Sequence, residues 1–468
     1  MEGTPSPETI STKQQRIAEL ARQAPEMAFN NLSHHMDINW LKMAFELTRK
    51  DGAPGVDGQT WESYRENLEE NLQSLLDRAK SGTYRAPPVR RVNIPKGDGR
   101  STRPIGIPTL EDKVLQRAVA MVLVPIYEQD FLPFSFGFRP KRSAHQALES
   151  FWKQMMSMGG GWVVEVDVQK FFDTIDHALL REAVHRRVRD GVLVRLIGKW
   201  LNAGISENGR IIDPETGTPQ GGVISPLLAN IFLHEVLDTW FVAEVEPRLK
   251  GRAFLIRYAD DFVIGCANEE DARRVMEVLP KRFGKYGLTI HPEKTRLVPF
   301  RPPTPGKDGQ GPKKPGSFDL LGFTHYWGKS RHGRWVIQRK TAKGRFRRGL
   351  KAAKEFCRRV MHWPVKEQHK KLSQKLNGHY GYFGITGNFG MLDRFRAAVR
   401  GIWRRSLARR SQRGMNWKRF ERLEKAFQLP RARVTHSAVQ RPARMASAVR
   451  RHEPALMRPV SLQLAAKP

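Results

Sequence analysis

Residues 331–468 hold 36 Lys and Arg against 6 Asp and Glu, a net charge of +30, while residues 1–330 hold 45 against 41, a net of +4. Cations at that density repel one another and oppose compaction of the second part unless a polyanion is close. A boundary near residue 330 follows, and nucleic acid becomes the expected partner.

The overall charge of +34 is hard to reconcile with a protein that handles only small neutral metabolites. With 468 residues, 40% of them apolar, the chain is long enough for two or three domains with real cores. Cys266 and Cys357 are the only cysteines, which excludes a disulfide framework and a cysteine-rich zinc site and points to a reducing compartment. No apolar run reaches the ~18–20 residues needed to span a bilayer, and the start shows no secretory pattern, so a cytoplasmic location is expected.

Apolar spacing near 3.6 predicts helices within 11–80, interrupted by the turn-rich DGAPGVDGQ at 51–59. Two short β-type runs flank KGDGR within 85–108 and predict a hairpin, after which Thr109 stands as the N-cap of a helix. GWVVEVDVQKFFDTIDH (161–177) reads as a buried strand that acquires acids as it emerges, and GTPQGGVISPLLANIFL as a glycine-rich turn entering a helix. FLIRYADDFVIGC (254–266) is two apolar runs meeting at Asp260 and Asp261, a hairpin with carboxylates at its tip. A helix across 269–286, a strand within 287–298 and one at FDLLGFTHY (318–326) complete an α+β sheet core, and the pattern after residue 340 is almost entirely helical. The Pro/Gly-dense stretch 301–316 reads as a loop or linker.

Adjacent aspartates at a hairpin tip, with Asp167 at another strand end, suit hard divalent cations, which take oxygen ligands. Two metals ~3.5–4 Å apart can activate a hydroxyl and stabilise a leaving oxygen at phosphorus. Asp-Asp alone reads more readily as a solvated turn than as a site. The apolar runs on both sides and the earlier acidic strand end favour a site.

Seven segments in order, RPIGIPTLEDKVLQRAV, FSFGFRPKRSAHQAL, VEVDVQKFFDTIDH, GTPQGGVISPLLANIFL, RYADDFVIG, GLTIHPEKT and FDLLGF, together resemble the reverse transcriptases, or maturases, encoded by bacterial group II introns. The resemblance covers roughly 45–330 and continues more loosely through LNGHYGYFGITGN into RRSQRGMNWKRFERL. It implies a right-hand polymerase, with fingers and palm over 1–330 (palm core about 161–330) and a helical thumb or maturase domain over 331–430; the basic, Ala-, Pro- and Arg-rich composition of 431–468 predicts a disordered tail that orders only on RNA.

By the same resemblance, Asp167, Asp260 and Asp261 map onto the metal-binding carboxylates, with the Val168 carbonyl a further ligand, for two Mg2+ ions or Mn2+ in their place. The implied reaction is attack of a primer 3′-hydroxyl on the α-phosphate of a dNTP. Phe172 takes the place of a residue that excludes a 2′-hydroxyl, with core packing as the alternative, which is preferred for Phe171. Gln220 and Gly221 resemble contacts to the incoming nucleotide, against a plain helix-entry turn. Lys96 and Arg103 match a triphosphate clamp, although exposed cations are common in hairpins. Lys294 takes the place of a lysine that protonates the leaving pyrophosphate, and equally fits a surface lysine.

In KTAKGRFRRGLKAAKEFCRRV, Phe346, Leu350, Cys357 and Val360 recur at helical spacing while Glu355 is the only acid, which favours phosphate binding by the remaining face. His379, Tyr380, Tyr382 and Phe383 suit either stacking on ribose and bases or core packing; Trp403 and Trp417 read as packing residues. Many family members carry a paired-cysteine endonuclease domain after the maturase domain, and with Cys357 the last cysteine of this sequence a member lacking that domain is expected. Implied partners are group II intron RNA, an RNA template with a DNA primer or target, and dNTPs, in a bacterial ribonucleoprotein. Oligomeric state is open. Competing readings are a reverse transcriptase of retron, diversity-generating or defence-associated type, and a non-catalytic RNA-binding splicing factor.

Overall fold

A computed structural model describes residues 7–95, 102–207, 210–212, 216–218, 221–303, 315–410 and 414–436. The chain divides into two compact units at Leu297/Val298, upstream of the boundary near 330 that the charge partition suggests. Charge reports where cations accumulate, whereas the division reports which residues share a core, and here the two do not coincide.

The first unit is built on helices Pro7–Gln23, Ile38–Glu46, Trp61–Arg65, Leu68–Ser81 and Leu110–Asp130. Thr109 caps the last of these, its side chain accepting from the Asp112 N–H. Trp40 and Phe45 are fully buried, and Trp40 donates its indole N–H to the Ala118 carbonyl at 2.9 Å.

Strands β1 (Val89–Pro95) and β2 (Thr102–Ile107) pair antiparallel as the expected hairpin, Arg90 opposite Ile107 and Pro95 opposite Thr102. The central sheet is formed by β3 (Gly161–Val166); β4 (Ile205–Glu207) and β5 (Arg210–Ile212) extend the first hairpin instead; β6 (Ala253–Tyr258) and β7 (Asp261–Cys266) return to the central sheet. In that sheet β7 lies between β6 and β3, antiparallel to both. Val163, Val164, Ile264 and Cys266 are fully buried there, and burial pushes the Cys266 thiol up to about 12. Helix Glu269–Gly284 follows, and on the far side of β3 stands the start of β8 (Arg296–Phe300), where Arg296 reaches Glu165 at 2.6 Å.

The second unit contains a three-stranded sheet of β9 (Phe318–Leu320), β10 (Phe323–Lys329) and β11 (Trp335–Thr341). FDLLGFTHY is thus two strands rather than one: Leu321 (φ 49°) and Gly322 (φ 82°) form a two-residue turn with Leu320 opposite Phe323. Two consecutive left-handed residues define the hairpin turn whose twist matches the strands, and the Leu-Gly pair was hidden inside an apolar run.

Helices Lys343–Arg359, Val365–Phe383, Phe389–Ala408 and Trp417–Ala426 follow. Tyr380 and Phe383 are buried, Tyr380 donates to the Pro430 carbonyl, and His379 stacks on Phe395 at 3.8 Å, so these rings serve packing. Burial without a bonding partner for its Nε2 holds His379 down to about 4. Trp403 is fully buried, whereas Trp417 packs with one side only: it is 45% exposed, edge-on to the buried Phe420 at 6.0 Å, with Arg404 and Arg400 lying over its ring at 4.4 and 4.9 Å. The start of the basic tail is ordered against this unit, Thr435 and His436 both donating backbone N–H groups to the Gly384 carbonyl. Residues 304–314 of the Pro/Gly stretch and 437–468 of the tail lie outside the described residues. Among the described residues no helix is long and apolar enough to cross a membrane.

Candidate active site

The register of β3 against β7 sets Val166 opposite Phe262, so the next step sets Asp167 across from Asp261. Side chains directly opposite in an antiparallel pair share a face, with Cβ atoms ~4.5–5.5 Å apart. Both residues are half-buried, at the end where β3 leaves the core. The β6–β7 turn consists of Ala259 and Asp260, between Tyr258 and Asp261. Ala259 is left-handed (φ 56°) and buried.

The stretch after β3 is held by GLTIHPEKT. His291 donates its N–H to the Asp167 carbonyl at 2.8 Å, Gln169 donates to the Thr289 carbonyl at 2.8 Å, and Val168 faces Ile290 between them. In an antiparallel ladder such flanking bonds turn the intervening residue's own N–H and C=O to the opposite edge. The Val168 carbonyl therefore faces the side on which Asp260 and Asp261 lie. The same segment brings Lys294 to Asp167, Nζ to Oδ2 at 3.7 Å, and sets the Thr295 hydroxyl 3.4 Å from the Asp167 N–H.

Lys170 is left-handed (φ 43°) and opens the short helix Phe171–Thr174. Phe171 is buried as expected, while Phe172 is half-buried with its ring edge-on to Phe171 at 5.3 Å. The glycine-rich turn docks on this helix: Thr218 donates its N–H to the Phe172 carbonyl at 2.8 Å, and Gly217 donates to Ile175 at 2.9 Å. A Cβ on Gly217 would lie 2.8 Å from the Phe172 carbonyl oxygen, so only glycine fits. His177 secures the turn from below with its Nε2 2.5 Å from the Gly217 carbonyl. Gly221 (φ 127°) rests on β2, where a Cβ would meet the Gly106 carbonyl oxygen at 2.3 Å. Arg103 lies three residues earlier on that strand. Lys96 and Gln220 lie outside the described residues.

Asp167, Asp261, the Val168 carbonyl and Lys294 are thus brought to one edge of the central sheet, and Phe172, Gly221 and β2 are linked to it through the glycine-rich turn. Asp260 occupies the turn, outside the strand alternation that aligns Asp167 with Asp261. Accordingly, among the described residues no group of three or more His, Cys, Asp and Glu side chains gathers closely enough to hold a metal ion. The oxygen donors present are chemically those a hard divalent cation takes. Gly217, His177 and Thr295 had no role in the sequence reading; their polar partners are distant in the chain, so only the folded geometry identifies them.

Residues 94–325 match the family model described as reverse transcriptase (RNA-dependent DNA polymerase). Protein YkfC of Escherichia coli (strain K12) is 36% identical over 328 residues, which is 62% of this chain and 84% of that protein. The group II intron-encoded protein LtrA of Lactococcus lactis subsp. cremoris is 44% identical over 168 residues, 36% of this chain but only 28% of that protein. The putative COX1/OXI3 intron 1 protein of Saccharomyces cerevisiae is 29% identical over 318 residues, 58% of this chain and 38% of that protein. The match thus spans most of YkfC and well under half of the intron-encoded relatives. The ordered motifs, the carboxylates they bring to one sheet edge and these similarities agree: this chain belongs to the group II intron-encoded reverse transcriptase/maturase family.

Proposed function

We propose that the protein is an RNA-directed DNA polymerase that extends a primer 3′-hydroxyl with dNTPs, and that it binds its intron RNA to assist splicing and mobility within a bacterial cytoplasmic ribonucleoprotein. The observation that carries the reading is the β3–β7 register, Val166 opposite Phe262, which sets the next residue Asp167 across from Asp261, with Lys294 3.7 Å from Asp167. In this reading the first unit supplies fingers and palm and the helical unit supplies thumb and maturase surfaces.

Asp167, Asp261 and the Val168 carbonyl, with Asp260 from the turn, would hold Mg2+ or Mn2+. Bound there, two such ions would lower the charge barrier to in-line displacement at phosphorus. Lys294 is suited to deliver a proton to the leaving pyrophosphate. Phe172 presents a bulky ring where a 2′-hydroxyl would sit, which supports deoxynucleotides as substrates. Gly221, with Gln220, would let backbone approach the incoming nucleotide, and Arg103 and Lys96 would bind its triphosphate.

Primer extension on an RNA template with Mg2+ tests this directly. The wild type extends and the Asp260→Ala, Asp261→Ala double variant does not. Equal extension by the two would overturn the assignment of Asp260 and Asp261 to the reaction, and inertness of both while splicing of the intron RNA persists would leave the splicing-factor reading instead.

A further inference from the structure

Arg257, immediately before the Tyr258–Asp261 hairpin end, is completely buried together with Asp238, and Asn230 is 1% exposed. Its Nε donates to Asp238 Oδ1 at 2.7 Å and one terminal nitrogen to Oδ2 at 2.5 Å. The other terminal nitrogen is shared between Asn230 Oδ1 at 2.9 Å and the Ala259 carbonyl at 3.3 Å. One side chain thereby connects a strand, a helix and the turn that carries Asp260.

The helix is shaped for this. Asn230 lies in the α-helix Ser225–Leu233 and Asp238 at the end of the π-helical stretch His234–Asp238. At 3.6 residues per turn, positions eight apart would be about 80° out of line. The wider π turn winds less per residue and returns Asp238 to the Asn230 side.

The turn is also gripped from the opposite direction. Phe136 donates to the Arg257 carbonyl at 2.9 Å and Arg257 to the Phe134 carbonyl at 2.9 Å, so FSFG runs beside the end of β6. Gly137 then lies so close that a Cβ would stand 2.2 Å from the Ala259 nitrogen. Asn230 closes the loop by donating its amide N–H to the Gly137 carbonyl at 2.7 Å. Arg139, with its guanidinium on Glu128 at 3.0 Å and on the Leu132 and Ser135 carbonyls at 2.8 Å each, braces the FSFG loop.

A buried ion pair is a poor source of stability relative to well-packed apolar groups, but it holds its partners in one geometry. We propose that Arg257, oriented by Asp238 and Asn230, is a positioning residue that clamps the Ala259–Asp260 turn against Gly137 and so fixes the Asp261 carboxylate opposite Asp167. The clamp rests on the reading of those carboxylates as the reactive pair only for its effect on rate.

The test compares full-length wild type, Gly137→Ala, Asn230→Ala and Asp261→Asn. Hydrogen exchange without metal should be at least tenfold faster at the Ala259–Asp261 amides in Gly137→Ala and Asn230→Ala, with the 161–166 amides unchanged. In nucleotide incorporation the same two variants should lose at least tenfold in kcat while the KM for dNTP stays within threefold. Wild-type exchange at the turn in both variants overturns the proposal, as does faster exchange with an unchanged kcat while Asp261→Asn is inert. If Asp261→Asn retains the wild-type rate, the catalytic reading of the carboxylates falls, and faster turn exchange would still uphold the clamp. Should Gly137→Ala fail to fold, Asn230→Ala alone carries the same expectations.

Discussion

Lys294 approaches Asp167 to 3.7 Å, Nζ to Oδ2, with side-chain exposures of 60% and 43%. An ion pair this open to water contributes little to stability, so its value lies in where it holds the ammonium. Lys294→Ala should reduce kcat about 100-fold or more, in line with loss of a general acid, and flatten the alkaline limb of the pH–rate profile. Its melting temperature should match the wild type. An unchanged single-turnover rate would make Lys294 an ordinary surface lysine.

Asp167→Asn and Asp261→Asn keep shape and remove charge. Several kcal/mol of charge stabilisation at a metal-assisted displacement corresponds to at least ~100-fold in rate. Rapid-quench incorporation should show that loss for each single variant. RNA affinity, measured by filter binding, should stay within about twofold.

Arg347, Lys351, Lys354 and Arg358 are exposed and recur at helical spacing on Lys343–Arg359, opposite the buried Ala353, Phe356 and Cys357. A phosphate-binding stripe of this kind is read by its salt dependence. Changing all four to Ala should make the slope of log affinity against log salt shallower by about 3, at ~0.7–0.9 per phosphate. A purely solvated face would leave the slope unchanged.

Asp112 is buried and accepts hydrogen bonds from the Tyr84 hydroxyl and the Trp200 indole N–H. Burial pushes its carboxyl up to about 7, partly offset by those two donors. Because the folded value lies above the unfolded one, folding takes up a proton between about pH 4 and 7, and this group's contribution to stability declines as pH rises through that window. Asp112→Asn removes the titration. Its melting temperature should therefore gain on the wild type by several degrees between pH 5 and pH 8 in calorimetry.

The carboxylate hairpin, the Thr109 cap, the β1–β2 hairpin and the helical character after residue 340 were legible from periodicity and turn residues, because each is a local property of the chain. The family was legible from motif order. The turn at Leu321 and Gly322 was not, since two left-handed residues inside an apolar run look like a continuous strand until the backbone reverses. The exposure of Trp417 was not legible either, because ring size alone does not say that a tryptophan meets a buried Phe420 with its edge and two arginines with its face.

The sequence by itself determined the chemistry available: where acids and cations fall, which runs alternate, and which family the motifs resemble. Only the tertiary structure decided that the β3–β7 register sets Asp167 across from Asp261, that Lys294 reaches Asp167, and that Gly137 lies against Ala259 while Asn230 bonds Gly137 and Arg257. Those relationships depend on strand register and on close backbone approach between distant segments. Neither is encoded in any local window; both arise when the sheet and its helices pack into one arrangement.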